Sequence, residues 1–307
     1  MTVTRITTNL LVNRTLDNLN AQQRRLFRLQ QQLATGQRVN VPSGDPLAAR
    51  RAVEGRTNMA KNSQYVHNIS MAGLFMNETE ISLLTLVDRL QRVNELGLQA
   101  ANQVNADLQL NQISQEINQI LESILDEANE ISNGRYLFAG TRTLERPFVE
   151  TRNADGDIVQ VDYLGNNESI FVEIDEDVNV RINETGQTVF RQTTVQSVDI
   201  FEMMINLRDN LRNEDRPALQ DRLEEISTSI SQVLIAVARV GSVQNRLERT
   251  EENLRANNLQ LQQFVSDAVD ADFAEVTLNL NIQLNAFQAA LNAGARVIQP
   301  SLMDFLR

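Results

Sequence analysis

The stretch LATGQRVNVPSGDPLAAR, residues 33–50, decides how the chain divides. It holds two of the five prolines in a chain with only 12 glycines, and it lies between segments whose apolar residues repeat with helical spacing. Glycine ends a helix through its backbone freedom and proline through its missing N–H. Their concentration here predicts that one helix stops and another starts, with Ser43 or Asp45 placed to cap the second. Gly36, Pro42, Gly44, Asp45 and Pro46 are therefore read as a hinge loop between an N-terminal arm and the body of the molecule.

Before the loop, Val12, Leu19, Leu26 and Leu33 repeat every seven residues, with Leu16 and Leu29 beside them. That is the seam of a helix packed on other helices. After the loop, Ile69, Ala72, Met76, Thr79, Leu83, Leu86, Leu90, Val93, Gly97, Ala100 and Val104 alternate steps of three and four from Tyr65 onward, which predicts one very long helix. Leu110, Ile113, Ile117, Ile120, Ile124, Ala128 and Ile131 predict another, with Asn133 and Gly134 as its C-cap. Ile200 to Leu211 reads as a short helix, and Pro217 opens a long one that keeps its register to Val265.

The C-terminal segment matches the N-terminal one. Phe273, Thr277, Leu280, Leu284, Phe287, Leu291, Gly294 and Ile298 form its seam. VTLNLNIQLN, residues 276–285, also alternates as a strand would. As a helix it carries Leu278 and Ile282 on a second apolar stripe, which calls for more than one neighbour. Both ends are expected to be loose alone and ordered in an assembly.

Residues 141–198 change character. DGDIVQVDYLG, SIFVEIDEDVNVRI and TGQTVF show period-two alternation, β-branched residues and turn dipeptides, the pattern of short strands and hairpins. The expected fold is mainly α: an elongated bundle of long helices with terminal coiled-coil arms (1–42 and 270–307), a helical shaft (43–140 and 199–269) and a small β-rich inserted domain (141–198).

Composition narrows the function. A net charge of −12 and a pI near 4.7 argue against a nucleic-acid partner, because phosphate binding needs a basic footprint. The absence of cysteine excludes disulfides, thiolate catalysis and Cys-ligated zinc. His67 is the only histidine and reads as an ordinary helix-surface residue, and no P-loop, dinucleotide fingerprint or HExxH motif occurs. NADGDIVQVD, residues 153–162, has the alternate oxygens of a calcium loop at Asn153, Asp155 and Asp157. Its glycine comes too early and the closing glutamate is missing, so a hairpin turn is the reading. The paired carboxylates of DRLEEIS read as a solvated helix face. An enzyme, a metal site and a cofactor are not expected. Six amides in residues 276–295 exclude a lipid-spanning helix there, and MTVTRITTNLLVNRTL lacks the pattern of a cleavable secretory signal.

Three motifs then point one way. ATGQRVNVPSGDPLAA lies after the first helix, NGRYLFAGTRTLERPF (133–148) at the passage into the insert, and SLMDFL (301–306) at the end. With paired terminal heptads around a β insert, the chain resembles the flagellin superfamily over essentially its whole length. Gln37 stands where a basic residue is more usual, and Pro300 lies close to the helix end.

The resemblance implies a structural adaptor of the bacterial flagellum, in the branch of the family that joins hook to filament. The arms (Val12, Leu16, Leu19, Leu26, Leu33 with Phe273, Leu280, Leu284, Phe287, Leu291, Ile298) would pack with those of neighbouring copies in a ring. The partners implied are a companion hook-associated junction protein, flagellin, and an export chaperone on the C-terminal arm around Leu302, Phe305 and Leu306. The location implied is the extracellular flagellum, reached by type III export without a cleavable signal. Asn133, Gly134, Arg135, Tyr136, Phe138 and Gly140 carry the family signature. The alternative is the filament subunit itself, which more typically has an Arg-Ile-Asn and an Asp-Asp-Ala run where this chain has RVNVPSGDPLAA.

Overall fold

A computed structural model of the chain describes residues 2–102, 107–191, 197–213 and 216–303, with side chains over 10–101, 109–191, 197–213 and 221–295. Val104, Phe305 and Leu306 lie outside the described residues, as do the side chains of Ile298 and Leu302. The fold is mainly α. The described helices are α1 (Thr2–Thr35), α2 (Pro46–Asn102), α3 (Asp107–Ala128), α4 (Gly186–Val189), α5 (Ile200–Arg212), α6 (Arg216–Val269) and α7 (Phe273–Met303), and six short strands lie between α3 and α4 in the chain. The strands are β1 (Ile131–Ser132), β2 (Arg135–Tyr136), β3 (Phe148–Arg152), β4 (Ile158–Tyr163), β5 (Phe171–Asp175) and β6 (Val178–Arg181). They pair as three antiparallel hairpins, β1–β2, β3–β4 and β5–β6. The chain forms two compact units, residues 62–255 and residues 1–61 with 256–307.

The first unit holds the main core. Every position of the α2 seam from Ile69 to Ala100 is buried. Ile113, Ile117, Leu121 and Ile124 of α3, Met204, Leu207 and Leu211 of α5, and Ile226, Val233, Ala236 and Val240 of α6 join the same cluster. So do Phe148, Ile158, Val161, Ile174 and Val180 from the strands, so the β segment shares its core with the helices. At its centre the Phe148 ring lies 5.0 to 5.2 Å from those of Tyr163, Phe190 and Phe201, and Phe138 meets Phe190 edge-on at 5.2 Å. Such offset and edge contacts add to the burial of the rings themselves.

The segment between α3 and α5 buries polar groups that its hairpins do not satisfy, and polar side chains finish the task. Asn129 donates to the Leu125 and Phe148 carbonyls and accepts from the Phe148 N–H at 3.0 Å. Gln232 of α6 donates to the Val189 carbonyl and accepts from the Val198 N–H. Arg208, only 1% exposed, donates to Asn118 Oδ1 and to the Ile158 carbonyl at 2.8 Å, and pairs with Asp209. Arg239 grips the buried Glu184 carboxylate with two hydrogen bonds of 3.0 and 3.1 Å. Buried polar groups are tolerated only when paired in this way.

Several sequence expectations change here. Ile131 is not the last seam position of α3 but lies in β1, 49% exposed. Asn133 and Gly134, at φ 50° and 77°, form the two-residue turn of the β1–β2 hairpin instead of a helix C-cap. Both central residues of a type I′ turn need positive φ, which Asn-Gly supplies. α3 ends earlier, where Asn129 diverts its amide to Phe148. TGQTVF is not a strand: Gly186–Val189 is the short helix α4, because the Gly186 N–H bonds the Phe138 carbonyl and turns the chain there. α2 begins at Pro46, where the capped loop predicts, but the apolar seam that marks it starts only near Tyr65.

That last difference has a clear cause. Ala48, Ala52, Gly55, Met59 and Asn62 continue the three-four spacing of α2, but with residues too small or polar to register as an apolar seam. A Cβ on Gly55 would come within 2.5 Å of the Val265 side chain, so the small residues mark close helix contact.

Candidate assembly site

The second unit contains the breaker loop and both terminal helices. α1 ends at Gly36, whose φ of +70° lets its N–H reach the Gln32 carbonyl at 2.8 Å, the usual left-handed glycine cap. The ring of Phe273 lies 3.6 Å from where a Gly36 Cβ would sit. Pro46 occupies the first position of α2, where no N–H is needed. Asp45 caps that helix, its Oδ1 accepting from the Ala48 N–H at 3.0 Å. That bond holds the Asp45 carboxyl below the ordinary range, with further help from Arg38. Pro42 and Gly44 form the turn before it, with the Gly44 N–H on the Val41 carbonyl.

The loop is tied to the connection between α6 and α7. The Arg38 N–H donates to the Val269 carbonyl at 2.7 Å, the Ala271 N–H to Gly36, and the Arg38 guanidinium to the Ala268 carbonyl at 2.7 Å. Ala48, Ala52, Val265 and Val269 close a small apolar cluster beneath. Asp272, which the sequence reading passed over, caps α7 through the Ala274 and Glu275 N–H groups.

α1 and α7 pair antiparallel. Gly36 meets Phe273 at one end, and at the other a Cβ on Gly294 would sit 3.3 Å from Thr15 and 3.7 Å from Leu19. Both helices advance 21 residues between these contacts, three full heptads in matched register. The inward line on α1 is Val12, Leu19, Leu26 and Leu33, half-buried or buried, while Leu16 is 45% exposed. On α7 it is Val276, Leu280, Gln283, Phe287, Ala290 and Gly294. Of the expected α7 seam, Leu280 and Phe287 lie inward, whereas Phe273, Leu284 and Leu291 are 58%, 37% and 45% exposed. A seam built partly of Gln, Ala and Gly is hard to choose when a second stripe of Leu and Ile runs beside it.

That second stripe stays open. Leu278 and Ile282 on α7 are 61% and 57% exposed, and Leu10, Leu11 and Phe27 on α1 are exposed as well. A two-helix pair can bury one face of each helix, so the other apolar faces remain available to further helices.

The signature residues have a different place. Asn133 and Gly134 form a turn, Arg135 and Tyr136 form β2, and Phe138 is fully buried in the aromatic cluster. Gly140, at φ +69°, lies so close to Asn166 that a Cβ would overlap its backbone and side-chain oxygens. The Tyr163 hydroxyl shares its one proton between the Phe138 and Asn166 carbonyls, and burial pushes its pKa up to about 12, so it stays a donor. Phe138 and Gly140 build the passage into the insert, while Asn133, Gly134 and Arg135 are exposed. In NADGDIVQVD, Asn153 Oδ1 accepts from the Asp155 and Asp157 N–H groups across a turn. His67 is exposed on α2. The Asp221–Val269 part of α6 contains a window apolar enough to cross a membrane, but here its Ile226, Val233, Ala236 and Val240 line the core.

Comparison with known proteins agrees with this architecture. The model of the bacterial flagellin N-terminal helical region matches residues 6–143, and that of the C-terminal helical region matches residues 223–306. The chain is 26% identical over 310 residues to the flagellar hook-associated protein 3 of Escherichia coli, covering 94% of this chain and 95% of that protein. It is 28% identical over 313 residues to Bacillus subtilis flagellin, covering 99% and 100%. The solved structure of the flagellar junction protein FlgL from Legionella pneumophila has the same fold, with a TM-score of 0.59 at 17% identity over 72% of this chain and 99% of that one.

Proposed function

The chain belongs to the bacterial flagellin family, and on that premise we propose that it is the structural adaptor between the flagellar hook and the filament. The observation that carries this reading is the pair of terminal helices with open apolar faces, on a chain whose relatives include a hook-associated protein matched nearly end to end. In this proposal the arms, residues 1–42 and 270–307, pack with those of neighbouring copies in a ring, and the helices and insert stand outside it. A companion hook-associated protein adjoins the ring on one side and flagellin on the other. Before export a chaperone covers the C-terminal arm around Leu302, Phe305 and Leu306.

The arrangement needs no chemistry. An apolar face of Leu278 and Ile282 gains roughly 1.5 to 3 kcal/mol per large side chain once a neighbour covers it. Similar arms on flagellin would present similar faces, which is what an adaptor between two lattices requires.

Immunogold labelling of intact flagella tests the reading directly. A single band at the base of each filament is expected. Label along the whole filament would overturn it in favour of the filament subunit, and label absent from flagella would remove the chain from the organelle.

A further inference from the structure

The two compact units carry opposite charge. Residues 1–61 and 256–307 hold 12 basic and 8 acidic side chains, net +4, whereas residues 62–255 hold 16 basic and 32 acidic, net −16. The acidic unit has a groove of about 410 Å³ between α2 and α6, floored by the buried Ile69 and Leu247 and walled by Gly73, Glu80, Gln244, Glu248 and Glu251. Gly241 lies on α6 three and seven residues before Gln244 and Glu248, on the same helix face.

The glycines are the unusual feature. Gly73 and Gly241 sit inside two long helices, where glycine is the poorest choice after proline. A Cβ at either would meet nothing within 4 Å, so no neighbour among the described residues requires them to be small. Glu80 and Glu248 also lack an ion-pair partner among the described residues, and Glu251 pairs with Arg255. The groove is thus open, apolar at its base and acidic at its rim.

One surface of the same chain has the opposite character. On the outer face of α1, Phe27 is 68% exposed between Arg24 and Arg28, and neither guanidinium has an ion-pair partner among the described residues. Residues 24, 27 and 28 share one side of the helix, away from the buried Leu26.

We propose that the α2–α6 groove docks the Arg24–Phe27–Arg28 face of a second copy of this chain. The Phe27 ring lies over the gap left by Gly73, and the two guanidinium groups meet Glu80 and Glu248. The contact joins two different patches, so it is heterologous and propagates from copy to copy, closing into a ring if the rotation allows. It rests on the reading that copies of this chain assemble, and adds where they touch.

The natural absence of cysteine makes the test clean. Gln31→Cys, one turn beyond Phe27 on the same exposed side of α1, and Asn77→Cys, on the groove wall, leave the ring and its seat intact; the two proteins, otherwise full-length, are mixed at high concentration with a short bis-thiol crosslinker, and association is followed in parallel by sedimentation velocity. Leu164→Cys, exposed on the insert surface, serves as the control partner for Gln31→Cys. Crosslinked heterodimers are expected for the groove pair only. Their yield should fall at least about 5-fold between roughly 50 and 500 mM salt, because rim charges are screened. Arg24→Glu with Arg28→Glu should abolish the product, and Glu80→Arg with Glu248→Arg on the other protein should restore it. Copies that associate without this crosslink would overturn the docking site and leave the adaptor reading standing. No association at any concentration would also overturn the docking site, while the adaptor reading stands or falls by the labelling of flagella. Loss without rescue by the reciprocal charges would overturn the assigned pairing.

Discussion

Residues 62–255 and the paired ends of the chain are both helical, yet they are held in different ways. In the first, four phenylalanines and a tyrosine meet ring to ring, and Arg208, Asn129, Gln232 and Arg239 answer the backbone and carboxylate groups that the strands and loops bury. In the second, the described seam between α1 and α7 has Leu26 and Val276 as its buried large apolar residues, at 7% and 8% exposure. The core is closed within one molecule, whereas the seam leaves large apolar residues such as Leu278 and Ile282 exposed beside it. Local stability therefore ought to be graded, highest around Phe148 and lowest along the arms.

The sharpest way to break that contrast is to truncate one phenylalanine in each region. Phe148→Ala is expected to cost about 3 to 5 kcal/mol of unfolding free energy, and Phe287→Ala, in a half-buried seam, no more than about 1 to 2. Equal losses in chemical denaturation would mean that the arms are as tightly built as the core. Next in size, Arg208→Leu removes the buried cation and strands the Asn118 amide and the Ile158 carbonyl, for an expected loss of about 2 to 3 kcal/mol. Circular dichroism melts of the two proteins would show it, and a neutral result would demote the polar network to decoration.

Smaller changes probe the junctions. Asp272→Ala removes the cap of α7 and should cost about 1 kcal/mol, visible as faster proteolytic cutting between residues 273 and 295 with the 62–255 region untouched. The smallest effect is on pH. The Arg212 hydrogen bond to Asp157 lowers that carboxyl below its ordinary value, so its contribution is present above the unfolded carboxylate range, near about 3.9, and is lost as pH falls through the folded value. Asp157→Asn should thus reduce the melting temperature at pH 7 and leave it unchanged once the wild-type carboxyl is protonated; an equal reduction at both extremes would assign the loss to packing.

Much of the helical plan was legible because large apolar residues at three-four spacing have few other uses. The breaker loop was legible for the same kind of reason, since Gly36 and Asp45–Pro46 act through local geometry alone. The packing of the first turns of α2 was not, because Ala48, Ala52 and Gly55 make contact by being small. TGQTVF alternates as a strand does, but local alternation cannot register a long-range bond from Gly186 to the Phe138 carbonyl. Asn133-Gly134 was correctly seen as a terminator but assigned to the wrong element, since a helix cap and a hairpin turn ask for the same positive φ.

By itself, then, the sequence determined the long helices, the position of the break after α1, the small β segment and the family, because each follows from local periodicity, turn chemistry or short motifs. Only the tertiary structure decided which of the two stripes on α7 faces α1, which polar side chains serve the hairpins, and that the strands share one core with the helices. Those choices depend on what residues far apart in the chain place opposite one another, such as Gly294 against Thr15 or Gln232 against Val198, and periodicity within a segment carries no information about its partner.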